Sequence, residues 1–152
     1  MLLRLSHLRT AALILVIALP LGACGDGESS SPAPSAGDTK PIKPTGGVDL
    51  ADKDFVDLTS SSNVAVQARD NSFVKPYIEV KAGTTITFTN RGRNDHNLLP
   101  ATDGAFQGIE VENFGPKGTD AITFDRPGDY PYYCSLHGTL TKGMIGAVRV
   151  LK

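Results

Sequence analysis

The part of the sequence that most constrains the fold is residues 63–152, in which short apolar–polar alternations are separated by turn residues. Residues 64–68 read Val-Ala-Val-Gln-Ala, a period of two that is typical of a β-strand with one buried face. Residues 84–90 are dense in β-branched side chains and place Ile86 and Phe88 on one face. This part of the chain is therefore predicted to consist of short strands.

Turn residues divide these strands, and no amphipathic helical pattern separates them. The Pro-Gly pair at residues 127–128 lies between two apolar segments, residues 121–124 and 130–134, and residues 144–151 form a last apolar segment. The 16 glycines and 10 prolines fit a turn-rich β protein. We predict an all-β antiparallel sandwich of about seven or eight strands rather than a βαβ fold. A turn of helix could form at residues 52–58.

The N-terminal segment has the pattern of a secretion signal. Arg4 and Arg9 precede an almost unbroken apolar run over residues 10–20, and small residues stand directly before Cys24. The run is shorter than the roughly 20 residues that span a bilayer comfortably, so a permanent transmembrane helix is the weaker alternative. Residues 1–23 are therefore assigned to a signal peptide.

Residues 21–24 read Leu-Gly-Ala-Cys and resemble the lipobox of bacterial lipoproteins. The resemblance implies that Cys24 carries lipid and holds the chain on the extracytoplasmic face of the cell membrane, in the periplasm or at the cell surface. An ordinary cleavage site with a coincidental cysteine is the alternative. Residues 25–47 are rich in Ser, Pro, Gly and Asp, so residues 24–62 are predicted to be a lipidated cysteine followed by a disordered linker.

The charge balance argues against nucleic-acid binding, and the cysteine content suggests a metal site. The 15 Lys and Arg residues nearly balance the 16 Asp and Glu residues, which leaves no basic field for nucleic acid. The two cysteines, Cys24 and Cys134, lie in segments of very different composition, and we do not expect a disulfide between them. A free thiol in an exported protein tends to be oxidised unless something occupies it, which suggests a metal at Cys134. Nothing in the sequence requires more than a monomer.

The side chains available within residues 63–152 suit copper. This part of the chain contains two histidines, one cysteine and one methionine. Two imidazoles with soft thiolate and thioether sulfurs select copper, and a His2Cys set with a weak axial Met is the electron-transfer form of such a site. Cys134 and His137 share one loop, and Met144 follows at the start of the last predicted strand. His96 lies just past the predicted strand at residues 84–90, so two strand ends are expected to converge.

Residues 124–130 read Phe-Asp-Arg-Pro-Gly-Asp-Tyr, and residues 132–137 read Tyr-Tyr-Cys-Ser-Leu-His. Together with the upstream His96-Asn97 pair, these segments resemble plastocyanin and its bacterial relatives, the cupredoxins. The resemblance extends over residues 63–152. It implies a cupredoxin Greek-key β-sandwich with one type 1 copper ion that cycles between Cu(I) and Cu(II). The implied ligands are His96, Cys134, His137 and Met144.

The resemblance also implies roles for residues beside the metal. Asn97 is expected to tie the His96 segment to the loop around Ser135. His137 is expected to be the port through which the electron passes. The apolar docking patch around this port is expected to consist of Leu136, Leu140 and Pro100.

The ligand loop departs from the family pattern in its length. Plastocyanin-like loops usually place the methionine at the fifth position after the second histidine, whereas Met144 is at the seventh position after His137. Met144 is still the expected axial ligand. A backbone oxygen near Asp95 is the alternative if the Met144 sulfur falls short of the metal.

These features predict a membrane-tethered, extracytoplasmic one-electron carrier that meets a redox donor and a redox acceptor transiently, and that is not an enzyme. A copper chaperone or storage protein is the main alternative. Two further alternatives are a small copper enzyme and an adhesion sandwich without a metal. The enzyme would need histidines beyond His96 and His137, and the adhesion module would be favoured if the protein bound no copper. Lys142, Arg91 and Arg93 could steer an acidic partner or could simply be solvated.

Overall fold

The computed structural model describes Pro41 and residues 43–152. The predicted signal peptide, Cys24 and the first part of the predicted linker lie outside these residues. In the part of the chain that the structure describes, no helix is both long enough and apolar enough to cross a bilayer.

Nine strands and one turn of 3-10 helix form the described part of the chain. The strands are β1 (Val56–Asp57), β2 (Val64–Arg69), β3 (Ser72–Val74), β4 (Tyr77–Lys81), β5 (Thr84–Asn90), β6 (Leu99–Pro100), β7 (Thr119–Phe124), β8 (Gly128–Gly138) and β9 (Gly143–Leu151), with the 3-10 turn at Val111–Asn113. One sheet has the strand order β1-β4-β9-β8-β6, and the other has the order β3-β2-β5-β7. The predicted all-β sandwich is confirmed.

The sheets are mixed, and this corrects the expectation of an antiparallel sandwich. β1 and β4, β4 and β9, and β2 and β5 pair in parallel. Strand β4 lies between β2 and β5 in sequence but belongs to the other sheet. The chain therefore crosses to that sheet and back, and β5 then runs beside β2 in the same direction as β2. The nine strands exceed the predicted number because β1 and β6, at two residues each, are too short to show an alternation.

The core lies between the two sheets and follows the alternation of each strand. In β5, Ile86 and Phe88 are fully buried on one face. The Tyr132 ring of β8 packs edge-on against Phe88, with 5.9 Å between ring centroids, and donates its hydroxyl to the Pro76 carbonyl at 3.1 Å. Full burial of one large apolar side chain contributes about 1.5–3 kcal/mol. The core therefore holds β8, the strand of the five-stranded sheet that carries Cys134, against the four-stranded sheet.

A further correction concerns the predicted linker, because its last part packs on the five-stranded sheet. The Thr45 amide donates to Thr102 Oγ1 at 3.0 Å. The Arg149 guanidinium stacks on the Phe55 ring, with 3.9 Å from Cζ to the ring centroid. Val56–Asp57 then pairs with β4, so residues 52–58 contain a short strand in place of the helical turn that could have formed there. Because acidic residues surround Phe55, the sequence did not indicate that this side chain packs on the domain.

Candidate metal centre

The end of β8 presents two candidate ligands to the interior. The ladder between β8 and β9 pairs Tyr133 with Ile145 and resumes only at Gly138, with a register shift between. Such an irregularity re-aims side chains that a regular strand would alternate. Cys134 is fully buried with a free thiol, and His137 is partly buried three residues further on.

The third candidate ligand, His96, comes from the segment that follows β5. Its side chain is fully buried. Its backbone amide donates to the Phe114 carbonyl at 3.3 Å, and its ring meets the Phe114 ring edge-on with 6.4 Å between centroids. The loop that contains Phe114 therefore supports His96 from both the main chain and the side chain.

The three side chains converge on one point. Cys134 Sγ lies 3.7 Å from His96 Nδ1 and 3.6 Å from His137 Nδ1. The candidate ligand atoms of the three residues all lie within 4.8 Å of one another. The structure thus brings together His96, Cys134 and His137, three of the four residues that the sequence predicts as metal ligands.

This spacing fits a single metal ion. Bonds of about 2.0 Å to nitrogen and about 2.3 Å to sulfur, spread by about 120°, place the two donor atoms about 3.7 Å apart. The observed separations of Cys134 Sγ from the two Nδ1 atoms agree with this value. Two imidazoles with a thiolate are a donor set that copper favours.

The protonation of His96 also suits a metal. Burial lowers the pKa of His96, because the charged imidazolium loses its solvent, and repulsion from His137 lowers it further. Asp70 and Asp95 act in the opposite direction but do not outweigh burial. Burial therefore favours the neutral imidazole, which has a nitrogen lone pair available for coordination.

A pair of hydrogen bonds joins the two segments that carry the ligands. The buried Asn97 side chain donates from Nδ2 to Ser135 Oγ at 2.8 Å and accepts the Ser135 amide on Oδ1 at 2.8 Å. Asn97 follows His96, and Ser135 follows Cys134. The contact implied by the resemblance is therefore present and holds the two ligand segments side by side.

Met144 is the second residue of β9, and its side chain is buried in the core. Its backbone lies against Gly138, where an added Cβ would be 2.7 Å from the Met144 amide nitrogen. Gly138 pairs with Gly143, so the longer ligand loop closes as a hairpin between His137 and Met144. Met144 thus lies at the base of the ligand loop, and its role as axial ligand stays a prediction.

The sequence of this domain matches a known family of copper proteins. The model of the copper binding proteins of the plastocyanin/azurin family matches residues 60–151. The chain belongs to this family. It is a plastocyanin-like cupredoxin, and copper is the metal to which the His96, Cys134 and His137 cluster is suited.

Individual relatives support this conclusion. The cupredoxin is 30% identical to a chloroplastic plastocyanin of Physcomitrium patens over an alignment 117 residues long, which covers 68% of this chain and 70% of the relative. It is 36% identical to a chloroplastic plastocyanin of Hordeum vulgare over 78 residues, but spans only about half, 49%, of that protein. A reduced mutant of amicyanin superposes with a TM-score of 0.51 at 24% identity, covering 60% of this chain and 84% of amicyanin, and so shares the fold.

The predicted docking patch is partly solvent-exposed in this cupredoxin. Leu136 is 51% exposed and Leu140 is 44% exposed, on either side of His137 in sequence. Pro100, in β6, is partly buried. Two large apolar side chains therefore reach solvent from the segment that carries His137.

One buried polar residue at the site was missed by sequence reasoning. Asn90 ends β5 and is fully buried. The signal was available, because an alternation with Ile86 and Phe88 pointing inward also points Asn90 inward. A buried polar side chain is almost always hydrogen-bonded, so this position indicates a structural role.

Proposed function

We propose that this cupredoxin is a one-electron carrier rather than an enzyme. The observation that carries the proposal is the His2Cys cluster, whose thiol lies 3.6–3.7 Å from both Nδ1 atoms. His96, Cys134 and His137 would hold the metal, with Met144 as a weak fourth ligand. When bound there, copper supplies a Cu(I)/Cu(II) couple.

The surroundings of the ligands favour rapid electron transfer. Electron transfer is fast when few atoms move as the charge changes, and ligands held by their neighbours move little. Cys134 directly follows Tyr133, which pairs with β9, and Asn97 hydrogen-bonds to Ser135, the residue after Cys134. Burial of His96 and Cys134 keeps water from the donor atoms. The chain therefore provides a site arranged before the metal binds.

We propose that electrons pass through His137, which is partly exposed. Leu136, Leu140 and Pro100 would form the apolar contact with a donor and then with an acceptor. A patch of a few side chains suits brief docking, since transient redox interfaces are among the smallest protein contacts. Lys142, Arg91 and Arg93 are exposed and would steer a partner with an acidic docking face.

The carrier would be a monomer held at the extracytoplasmic face of a bacterial membrane by lipid on Cys24. The support for this part is the Leu-Gly-Ala-Cys sequence at residues 21–24. Since Thr45 is hydrogen-bonded to Thr102, we propose residues 24–44 as the tether. As a flexible coil of this length it would have a root-mean-square reach of about 25 Å.

A visible spectrum of the Cu(II)-loaded mature chain tests electron transfer. The chain would carry Cys24→Ser, so that Cys134 is its one thiol. An intense thiolate-to-copper band that bleaches with ascorbate and returns on reoxidation is expected, and Cys134→Ser should abolish it. A pale spectrum or no stoichiometric uptake would contradict the carrier function. Rapid surrender of Cu(I) to a chelator would favour a chaperone or storage protein.

Membrane attachment needs a separate experiment, because the spectrum does not depend on it. Cells that express the complete chain are fractionated and compared with cells that express Cys24→Ser. The unsubstituted chain is expected in the membrane fraction with incorporated fatty acid, and the variant without lipid. Equal distribution of the two chains would refute the anchor and leave the carrier function intact.

A further inference from the structure

The fully buried Asn90 side chain makes three hydrogen bonds near the metal site. Nδ2 donates to the Asn94 carbonyl at 2.8 Å and to the Phe114 carbonyl at 2.9 Å. Oδ1 accepts the Gly92 amide at 2.8 Å. A primary amide offers two donor hydrogens and an acceptor oxygen on one planar group, which is the set that these three contacts require.

The Asn90 main chain makes further bonds to the same region. Its amide donates to the Gly118 carbonyl at 2.9 Å, and its carbonyl accepts the Lys117 amide at 3.0 Å. One residue therefore fastens two loops: the first, residues 91–95, leads from β5 to His96, and the second, residues 114–118, leads into β7. Loss of the side chain would leave the loops joined through the main chain but without their buried cross-link.

Both loops bear directly on His96. The Phe114 carbonyl that accepts Asn90 Nδ2 also accepts the His96 amide at 3.3 Å. The Phe114 ring meets the His96 ring edge-on. On the other side, the Asn94 carbonyl is fixed two residues before His96. Asn90 thus holds two pieces of backbone next to His96: the segment that precedes it in sequence, and the Phe114 loop that packs against its ring.

Other residues could not make the same contacts. A carboxylate in place of the amide would face two carbonyl oxygens, from Asn94 and Phe114, with no hydrogen to donate. A serine hydroxyl has one donor hydrogen and a shorter reach. The Asn94 carbonyl and the Gly92 amide, whose bonds to Asn90 are part-buried, would lose this partner, whereas the Phe114 carbonyl would keep the His96 amide. A buried polar group that is left unpaired costs about 1–3 kcal/mol.

We propose that Asn90 is a positioning residue for His96, and that it restricts movement of this imidazole when the oxidation state changes. The inference rests on the proposed electron-carrier function. It predicts that an Asn90 variant loses local order at His96 and transfers electrons more slowly, beyond what its loss of overall stability explains.

The test compares Asn90→Ser with Val66→Ala in the mature Cys24→Ser chain. Val66 is a core residue of β2, 1% exposed, and its truncation lowers overall stability while all three Asn90 side-chain hydrogen bonds keep their partners. Amide hydrogen exchange of Gly92 and His96 is measured in the apoprotein, and the electron self-exchange rate is measured in the copper-loaded protein. Global stability is measured for both variants by urea denaturation, so that local and global openings are separated.

In Asn90→Ser, exchange at Gly92 and His96 should rise by at least about tenfold more than the loss of global stability accounts for. Self-exchange should fall about tenfold, which corresponds to about 1.4 kcal/mol of activation free energy. In Val66→Ala, the self-exchange rate should match the unsubstituted protein. Unchanged self-exchange and local protection in Asn90→Ser would overturn the inference.

A second measurement does not depend on the folding of a variant. In the unsubstituted apoprotein, the Gly92 and His96 amides should exchange as slowly as the slowest amides of β8 and β9. Exchange orders of magnitude faster would show that Asn90 does not hold the loops. Failure of the carrier function has a different signature, the absence of a reversible visible band in the unsubstituted protein.

Discussion

Replacing Asn97 by alanine should weaken both the fold and the metal site. Asn97 is 4% exposed and makes two hydrogen bonds of 2.8 Å to Ser135. Each bond contributes about 1 kcal/mol net, so the free energy of unfolding of the apoprotein should fall by about 2 kcal/mol. Ser135→Ala removes only the bond to the hydroxyl and should cost about 1 kcal/mol. Urea denaturation of the mature Cys24→Ser chain measures both.

The double variant isolates the interaction. If Ser135→Ala acts only through Asn97, it should cost almost nothing when alanine already occupies position 97, and the coupling free energy should be about 1 kcal/mol. Because the same bonds align the segments that carry His96 and Cys134, Asn97→Ala should also lower copper affinity by about 10- to 100-fold. Competition with a calibrated chelator measures this change.

A matched control lies on an exposed face of the four-stranded sheet, where the Thr85 and Thr123 hydroxyls are 2.8 Å apart. Thr85→Val removes a side-chain hydrogen bond of the same length, and copper affinity should not change. The reasoning is refuted if Asn97→Ala unfolds within about 0.5 kcal/mol of the unsubstituted protein, or if the effects at Asn97 and Ser135 are additive.

Three further predictions concern the rest of the domain. A chain that begins at residue 63 should have a free energy of unfolding in urea about 2 kcal/mol lower than a chain that begins at residue 44, because it lacks β1 and the Phe55 stack on Arg149. Equal stabilities would mean that this segment does not stabilise the domain. Gly146→Ala should cost about 1–3 kcal/mol, since the new Cβ would lie 2.5 Å from both the Pro76 carbonyl oxygen and Tyr132 Cζ, and a thermal melt unchanged from that of the parent chain would contradict this. Stability should fall above about pH 10, because burial raises the pKa of Tyr132 while the unfolded chain releases this proton at its ordinary pKa. Denaturation midpoints at pH 9 and pH 11 measure the loss, which should be smaller in Tyr132→Phe; an equal loss in both would point to other groups.

Local patterns in the sequence predicted many of the strands and turns. The alternation that placed Ile86 and Phe88 on one face is present in β5, and the Pro-Gly pair at residues 127–128 leads into a strand, β8, whose first residue is Gly128. In that turn the Tyr130 hydroxyl donates to the Arg126 carbonyl at 2.7 Å, a tyrosine corner. These features could be read because strand period and turn chemistry depend on neighbouring residues.

Pairing between strands could not be read in the same way. The parallel pairs β2–β5 and β4–β9 depend on which sheet the chain enters between them. The packing of residues 45–58 on the domain depends on contacts of Phe55 with Arg149 and Tyr77. These two residues are distant from Phe55 in sequence, so the residues around Phe55 do not reveal the contacts. Composition alone therefore assigned an ordered segment to the linker.

The sequence by itself determined which side chains can bind copper, because Cys134, His96 and His137 are recognisable by chemical type and by the motifs around them. Only the tertiary structure decided that their donor atoms lie within 4.8 Å of one another, and that Asn90 fastens the loops beside His96. The physical reason is distance along the chain. Ligand chemistry belongs to single residues, whereas donor spacing and buried hydrogen bonds arise from contacts between segments that meet only in the folded sandwich.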